Sequence, residues 1–439
     1  MSDRSPVLVL GNDFSLAAAK TSRHLCRALG SLGHVAVGRD TRLVRWAIAE
    51  VEKESGARRE AYEMAVVAKW GKFIADYGIE TVISLDLQWL FTSRLFFDAD
   101  RVKGIHSFWF DDLRSHLQSA PMFPLAPQTP LELINRPKVS HHCYGRGQAE
   151  ELRLLGVKNI SASPLAASSE FLEATGACTV LNRLAFIGNP GLQSPPSASA
   201  LAAMERGEKL DALQQIARKE ILDALPAAAQ TADWIRQSPD VVELFAAATE
   251  MRLFRPHDAA VSLLLEAGRA HPAAFDFINR SGLILDAAIL VKNVNRYDRP
   301  GLVHRLWRRG WLDVYGTPEQ WKPYGIDAQP TVSFPKLASV YRRYPAHLNA
   351  ANCARDASAN EKLFEIAACG RLSLNLDSPD VRACYSEKEV VLAASDDALE
   401  AAAGEILRDP SAALARGDAA RQRTANEHLW EHRLKKALA

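Results

Sequence analysis

The residues best suited to bind an anionic ligand lie in one short segment late in the sequence, 358–370. Ser358 followed by Glu361 has the spacing of a helix capping box. A helix start offers backbone N–H groups and the positive end of the helix dipole to a diphosphate, and Lys362 adds a positive charge there. Glu365 can accept hydrogen bonds from both hydroxyls of a ribose. The segment predicts a nucleotide site; the alternative is a surface helix whose Lys and Glu are solvated.

The first part of the chain begins with a strand that breaks into a polar loop. The apolar run Val7–Leu10 ends at Gly11-Asn12-Asp13, and a helical pattern and a second short strand, His34–Val37, follow it. This order is typical of a βαβ unit with a parallel sheet. The loop lacks the second and third glycines of a dinucleotide-binding fingerprint, which excludes a dehydrogenase. Strand and helix signals keep alternating, and we predict a first domain at residues 1–170.

A second start of the same kind appears at Leu184–Ile187, which runs into Gly188-Asn189. It predicts a second α/β domain at residues 180–420. Residues 195–300 are rich in Ala and Leu with few strand signals, so we expect a helical insertion there. Residues 421–439 are expected to form a helix that crosses back to the first domain. The predicted fold class is therefore α/β, with two doubly wound, Rossmann-like domains and the site in the cleft that they face.

Composition and charge disfavour several classes of protein. Hydrophobic residues make up 48% and charged residues 24% of the 439 residues, which is typical of folded globular chains. The 53 basic and 52 acidic side chains give a net charge of +1 and no reason to expect nucleic acid as a partner. The six cysteines form no CxxC pair, which predicts reduced thiols. With no leader-like or membrane-spanning pattern, we expect a cytoplasmic protein.

Several short motifs in the last third of the chain occur in the order of a known family. They begin at His347-Leu348-Asn349 and continue through Phe364-Glu365, Ala368-Cys369-Gly370 and Glu389-Val390 to the terminal run Glu427–Arg433. The sequence resembles the spore-maturation CgeB-like glycosyltransferases, a group of the GT-B superfamily related to the GT4-type transferases. The resemblance covers most of residues 310–435. Weaker matches extend it to residues 186–189, 314–316 and 109–112.

The resemblance implies a GT-B enzyme that moves a hexosyl-like sugar from a nucleotide-sugar donor to an acceptor, which is a glycan, a protein or a small molecule. It implies no cofactor and no bound metal, because positive groups and helix dipoles stabilise the departing diphosphate. Lys362 stands where the family has arginine, and Ser358 where related retaining enzymes have a glutamate, so the stereochemical outcome is open. The residues expected to bind the donor are Gly188, Asn189, Tyr315, Gly316, Asn360, Lys362, Phe364 and Glu365.

An inverting reaction requires a general base in the first domain. Asp13, His106 and Asp112, beside Asp111, are the candidates, because they lie at predicted strand ends where ligands of such sheets gather. The adjacent His141, His142 and Cys143 are the sole candidate metal ligands, but neighbours on a strand point to opposite faces, so we assign them a structural role.

Two rival functions remain on the sequence. One is a catalytically silent binding or assembly protein that keeps the fold, and the other is a sugar-nucleotide epimerase of the same fold. Three roles are open for the helical insertion: covering the donor, binding a large acceptor such as a protein or glycan, or forming a homodimer.

Overall fold

The computed structural model describes residues 5–11, 16–40, 68–86, 102–109, 130–174, 178–191, 195–231, 240–280, 283–352 and 359–439. They form two compact units. The first unit comprises residues 1–144, 155–163 and 429–439 as far as they are described, and the second comprises residues 145–154 and 164–428. Residues 145–154 and 164–170, which the sequence analysis assigned to the first domain, therefore belong to the second unit.

The first unit is built on a parallel sheet of six strands in the order β2-β1-β3-β4-β5-β6. The apolar run found in the sequence forms β1, which lies between β2 and β3, and all five residues of that strand are buried. The sheet places two later strands beside each other, with Phe108 paired to His142. The strands are β1 (Val7–Gly11), β2 (Ala36–Asp40), β3 (Thr81–Leu85), β4 (Gly104–Trp109), β5 (Val139–Cys143) and β6 (Ile160–Ala162).

Helices cover this sheet. The first, α1 (Leu16–Ser31), packs against α18 (Trp430–Ala437), which is the last helix of the chain. Trp430 is buried and meets the ring of Phe108 edge-on, with 6.0 Å between the ring centroids. Residues 68–76 are also helical, as is α2 (Pro130–Ile134). The last helix thus stabilises the first unit by burying an aromatic side chain.

The second unit has its own parallel sheet of six strands, in the order β12-β11-β10-β7-β8-β9. Its first strand lies in the middle, with β8 on one side and β10 on the other. In open α/β sheets, ligands bind outside the carboxyl ends of the strands at such a switch of direction. The strands are β7 (Leu184–Ile187), β8 (Leu312–Gly316), β9 (Gln329–Pro330), β10 (Ala346–Leu348), β11 (Leu372–Leu376) and β12 (Val391–Ala393).

The expected helical insertion lies between β7 and β8. Its helices are α5 (Ala198–Arg206), α6 (Leu210–Thr231), α7 (Val241–Phe254), α8 (Ala260–Ala270), α9 (Pro272–Arg280), α10 (Ile284–Lys292), a 3-10 helix at Asn293–Asn295, and α11 (Asp298–Arg308). A helix from earlier in the chain, α3 (Arg146–Leu154), packs against α8.

The structure describes further helices in the second unit. They are α4 (Ser169–Glu173), α12 (Pro318–Trp321), α13 (Phe334–Arg342), α14 (Glu361–Ala368), α15 (Pro379–Cys384), α16 (Asp396–Arg408) and α17 (Pro410–Glu427). The core between sheet and helices is apolar and includes Leu184, Leu306 and Leu372, each fully buried. The structure confirms the predicted α/β class with two parallel sheets. Among the described helices, none combines the length and the apolar composition needed to cross a bilayer.

Candidate functional site

The candidate site is assembled from loops at the carboxyl edge of the second sheet. Loops that follow β7 and β10 meet there, because both strands end at the same edge. A Cβ placed on Gly191, whose φ is +88°, would lie 3.0 Å from Asn352 Oδ1 and 3.2 Å from Arg299 Nη1. The positive φ favours glycine at this position, where the two loops approach each other closely.

Helix α14 starts at this edge with a side-chain cap. Asn360 is the N-cap residue, and its Oδ1 accepts a hydrogen bond from the backbone N–H of Leu363 at 3.1 Å. Glu361 is consequently the first helical residue, so the capping box expected from Ser358 and Glu361 is wrong. Ser358 itself lies outside the described residues. The positive end of the helix dipole is directed at the loops that follow β7 and β10.

Lys362 joins this helix to the end of β7. Its Nζ donates a hydrogen bond to the Ile187 carbonyl oxygen. The ammonium also lies 5.7 Å from the centroid of the Phe186 ring, within the range of a cation–π contact. A Cβ on Gly188, with φ at +154°, would come within 2.7 Å of the Lys362 Nζ. Glycine at 188 therefore leaves room for a cation at the strand end.

Asn189 and Gly316 form the neighbouring wall. Asn189 Oδ1 accepts a hydrogen bond from the backbone N–H of Thr317 at 2.8 Å, which joins the loops after β7 and β8. Trp321 Nε1 donates to the Gly188 carbonyl oxygen at 2.9 Å. A Cβ on Gly316 would lie 2.5 Å from that same carbonyl oxygen, so the two strand ends approach more closely than any side chain permits.

Arg299, in the first turn of α11, is a cation that the sequence analysis missed. Its Nη1 donates to the Asn189 carbonyl oxygen at 3.1 Å, and its Nε donates to the Ala350 carbonyl oxygen, also at 3.1 Å. The guanidinium thus bridges the loops after β7 and β10. No local motif marks this arginine, because both loops that it bridges are distant in sequence, one before and one after it.

The described residues around the edge enclose a cavity of about 460 Å³, within the range of about 300–1,000 Å³ typical of small-molecule sites. All of its walls belong to the second unit. On the sheet side it is lined by Asn349, Asn352, Asn360 and Asn375. Residues of the helical insertion line the other side, together with Arg299.

Three of the residues expected to bind the donor point into the core instead. Tyr315 is 6% exposed, and its hydroxyl lies 2.8 Å from the hydroxyl of Tyr344. Phe364 is fully buried against the rings of Tyr385 and His428. Glu365 is fully buried as well. These three side chains therefore stabilise the second unit. They lie away from the loops at the carboxyl edge of the sheet, where the other expected donor-binding residues are found: Gly188, Asn189, Gly316, Asn360 and Lys362.

The Glu365 carboxylate is held by a neighbouring helix. Its Oε2 accepts a hydrogen bond from the Tyr341 hydroxyl at 2.9 Å. Burial, followed by the adjacent carboxylate, holds the pKa of the Tyr341 hydroxyl well above its usual value, so the tyrosine stays protonated and donates. The ribose contact predicted for Glu365 stays a prediction.

Substitutions of Glu365 are expected to separate a structural role from a binding role. Glu365→Ala removes a buried side chain and leaves the Tyr341 hydroxyl without this acceptor, so we expect a loss of about 2–4 kcal/mol in the free energy of unfolding. Glu365→Gln keeps the volume and an acceptor oxygen, and a smaller loss is expected. Urea unfolding checks both. Equal stability of wild type and Glu365→Ala would contradict the buried hydrogen bond.

Of the three candidate bases of the first unit, the structure describes His106 alone. Asp13 and Asp112, with Asp111, lie outside the described residues. His106 lies within β4 and not at its end, which corrects the expected position. Its Nδ1 is 3.3 Å from His142 Nε2, and burial lowers the pKa of His106. The imidazole is thus neutral near pH 7, and its catalytic role stays a prediction.

His141 and His142 lie on opposite faces of β5. Trp109 Nε1 donates to His141 Nδ1 at 3.2 Å, and His141 Nε2 lies 2.8 Å from the Ile134 carbonyl oxygen, so the second nitrogen carries the proton. Burial lowers the pKa of His141 to about 4 and that of His142 to about 3. Within the described ranges no group of three or more His, Cys, Asp or Glu side chains is placed to hold a metal ion. The absence of a metal stays an expectation.

Comparison with protein families identifies the part of the chain that carries most of this site. Residues 296–439 match the family model described as glycosyl transferase-like. The matched segment is the last third of the chain. It contributes Arg299, Gly316, Asn349, Asn360 and Lys362, whereas Gly188 and Asn189 come from the strand before the helical insertion. No curated protein matches the sequence.

Three solved structures are similar over nearly the whole chain at low identity. A glycosyltransferase from Rickettsia africae is 11% identical, with a TM-score of 0.47, and the match covers 100% of this chain and 97% of that one. Sucrose-phosphate synthase from Thermosynechococcus elongatus is 12% identical, with a TM-score of 0.44 and 99% of both chains covered. A UDP-forming trehalose-phosphate synthase from Burkholderia vietnamiensis is 12% identical, with a TM-score of 0.42 and 99% and 96% covered.

Proposed function

We propose that the chain is a GT-B glycosyltransferase of the CgeB-like group. It binds a nucleotide-sugar donor at the carboxyl edge of the second sheet and transfers the sugar, a hexosyl-like unit, to an acceptor. The observation that carries the proposal is that two cations, Arg299 and Lys362, and the start of α14 converge on the loops after β7 and β10, within and beside the glycosyl transferase-like domain.

The chemistry of the leaving group gives this arrangement its use. When the sugar leaves, negative charge develops on the diphosphate, and fixed positive groups lower the free energy of that transition state. Arg299 offers a planar guanidinium, which suits phosphate oxygens, and Lys362 offers a point charge. The first turn of α14 adds the positive end of a helix dipole. These groups supply the stabilisation that a divalent cation supplies in other transferases, so we propose a reaction without a cofactor or bound metal.

Other parts of the proposal rest on the sequence. The acceptor, a glycan, a protein or a small molecule, is assigned to the first unit, with Asp13, His106 and Asp112 as candidate bases for an inverting reaction. A cytoplasmic location is supported by the cysteines, since Cys26, Cys143, Cys178, Cys369 and Cys384 carry free thiols. A homodimer is a further possibility.

A screen of nucleotides by thermal unfolding tests the proposal on the full-length chain. UDP, GDP, dTDP and CMP are each compared with a corresponding nucleotide sugar. A ligand present at a hundred times its dissociation constant stabilises the folded state by about 2.7 kcal/mol, and we expect one base series to give such a shift. The stabilising donor is then followed for hydrolysis or transfer.

Three results would overturn the proposal. A chain that binds a nucleotide sugar without releasing its sugar is a silent binding protein. Release of a free epimer without any acceptor identifies an epimerase instead. A chain that none of the nucleotides stabilises has no donor site of the proposed kind.

A further inference from the structure

The cavity at the edge of the second sheet extends to the helical insertion. Its wall on the side of the helical insertion carries Gln214 of α6, Arg252 of α7, Asn295 of the 3-10 helix and Asp298 of α11. These four residues come from separate elements, and they form one hydrogen-bonded network. The insertion thus builds a polar wall opposite the strand ends.

The network is anchored on the Asp298 carboxylate. Gln214 Nε2 donates to both of its oxygens, at 3.0 and 3.1 Å, and Asn295 Nδ2 donates to Oδ2 at 2.9 Å. Arg252 Nε donates in turn to Asn295 Oδ1 at 2.9 Å. Burial raises the pKa of Asp298 to about 7. These contacts fix the side chains in place before any ligand arrives.

On the opposite side, Asn349 presents an acceptor that has no partner. Asn375 Nδ2 donates to the carbonyl oxygens of Ser373 and Val391, so its Oδ1 must face Asn349. Asn349 Nδ2 donates to that oxygen at 2.8 Å. The Asn349 amide is thereby oriented, and its Oδ1 is buried without a hydrogen bond, in a residue that is 8% exposed and lines the cavity. A buried acceptor of this kind favours a ligand that donates a hydrogen bond.

The chemistry of the lining narrows the class of ligand. Among the described residues that line the cavity, His257 carries the one aromatic ring, so a stacked nucleobase has little to pack against. Of the carboxylates that line the cavity, Asp396 is paired with Arg305, Asp397 with Lys209 and Asp377 with Arg382. Asp298 instead accepts its hydrogen bonds from the neutral amides of Gln214 and Asn295. An anionic group is therefore disfavoured beside Asp298, in this part of the cavity.

We infer that this cavity binds the sugar of the nucleotide donor, and that it selects a neutral hexose, whose hydroxyls donate to Asn349 and exchange hydrogen bonds with the Asp298 network, over an acidic sugar. The inference rests on the proposed function and deepens it. The helical insertion is then the element that determines which sugar is transferred.

Paired dissociation constants test the inference. By calorimetry on the full-length protein, UDP-glucose is compared with UDP, GDP-mannose with GDP, and dTDP-glucose with dTDP. For the base that binds, the dissociation constant of the free diphosphate is divided by that of the nucleotide sugar. This ratio gives the contribution of the sugar to the affinity. Asn349→Ala is expected to lower that ratio about three- to tenfold, the effect of one neutral hydrogen bond, and to leave the affinity for the free diphosphate unchanged. Asp298→Asn, on a different element, is expected to act in the same direction.

A control variant and the possible contrary results distinguish failure of this inference from failure of the proposed function. Asp223→Asn, an exposed carboxylate on α6 paired with Lys219, is the matched control and is expected to keep the wild-type ratio. If Asn349→Ala does not fold, Asp298→Asn carries the test. The inference is wrong if both cavity variants keep the wild-type ratio. It is also wrong if UDP-glucuronate binds more tightly than UDP-glucose. In either case the proposed function stands. If none of the diphosphates binds, the proposed function fails, and the inference fails with it.

Discussion

Replacing Arg299 with alanine is expected to lower kcat/KM for sugar release by about 100-fold or more, the usual effect of removing one group that stabilises charge in a transition state. The guanidinium bridges the Asn189 and Ala350 carbonyl oxygens, so it stands between two loops at the start of α14. Hydrolysis of the donor identified by thermal unfolding provides the assay, since it requires no known acceptor. Arg299→Lys is expected to recover part of the loss, because an ammonium restores the charge but cannot bridge both loops.

The control for this variant lies on the same helix. Arg308, at the far end of α11, is exposed and donates to the Glu205 carbonyl oxygen, so Arg308→Ala is expected to keep wild-type activity. Thermal unfolding of both variants separates a lost charge from a disordered loop. Wild-type turnover in a folded Arg299→Ala protein would show that the diphosphate is held elsewhere, and the proposed site would then be wrong.

The sequence predicts the two sheets because their first strands are unusually clear. Val7–Gly11 and Leu184–Ile187 are short apolar runs that end in glycine loops, and each starts a parallel sheet. The insertion is visible as a long stretch of helix-forming residues without strand signals. What the sequence does not reveal is that Arg146–Leu154 leaves the first unit to pack on this insertion. Its amphipathic pattern shows a buried face without indicating which partner covers it.

The candidate site was predictable where backbone geometry determines it. Local sequence patterns predict where strands end and helices start. Such positions are occupied by Gly188, Gly316 and Asn360. Glu365 was expected to be accessible because α14 was treated as half exposed. In the structure α17 and α4 pack on this helix in addition to the sheet, so almost every side is buried. Arg299 was missed because its two carbonyl partners are distant in sequence.

The helix α3 that joins the second unit also brings a buried charge with it. Glu151 Oε2 accepts from Lys292 Nζ of α10 at 2.8 Å, and the two side chains are 5% and 6% exposed. Removing one member of such a pair leaves the other charge in a poorly solvated place, whereas removing both eliminates the cost of burying them. The pair thus ties an early segment of the chain to the end of the insertion.

Lys292→Met is therefore expected to lower the free energy of unfolding of the second unit by about 3–5 kcal/mol, and the double variant Glu151→Leu with Lys292→Met is expected to lie close to wild type. Lys219→Met, which breaks the exposed pair with Asp223, serves as the control and should change stability by less than about 1 kcal/mol. Urea unfolding followed by circular dichroism measures all three. If the double variant is as unstable as Lys292→Met, the loss comes from packing around α10 and not from the broken ion pair with Glu151.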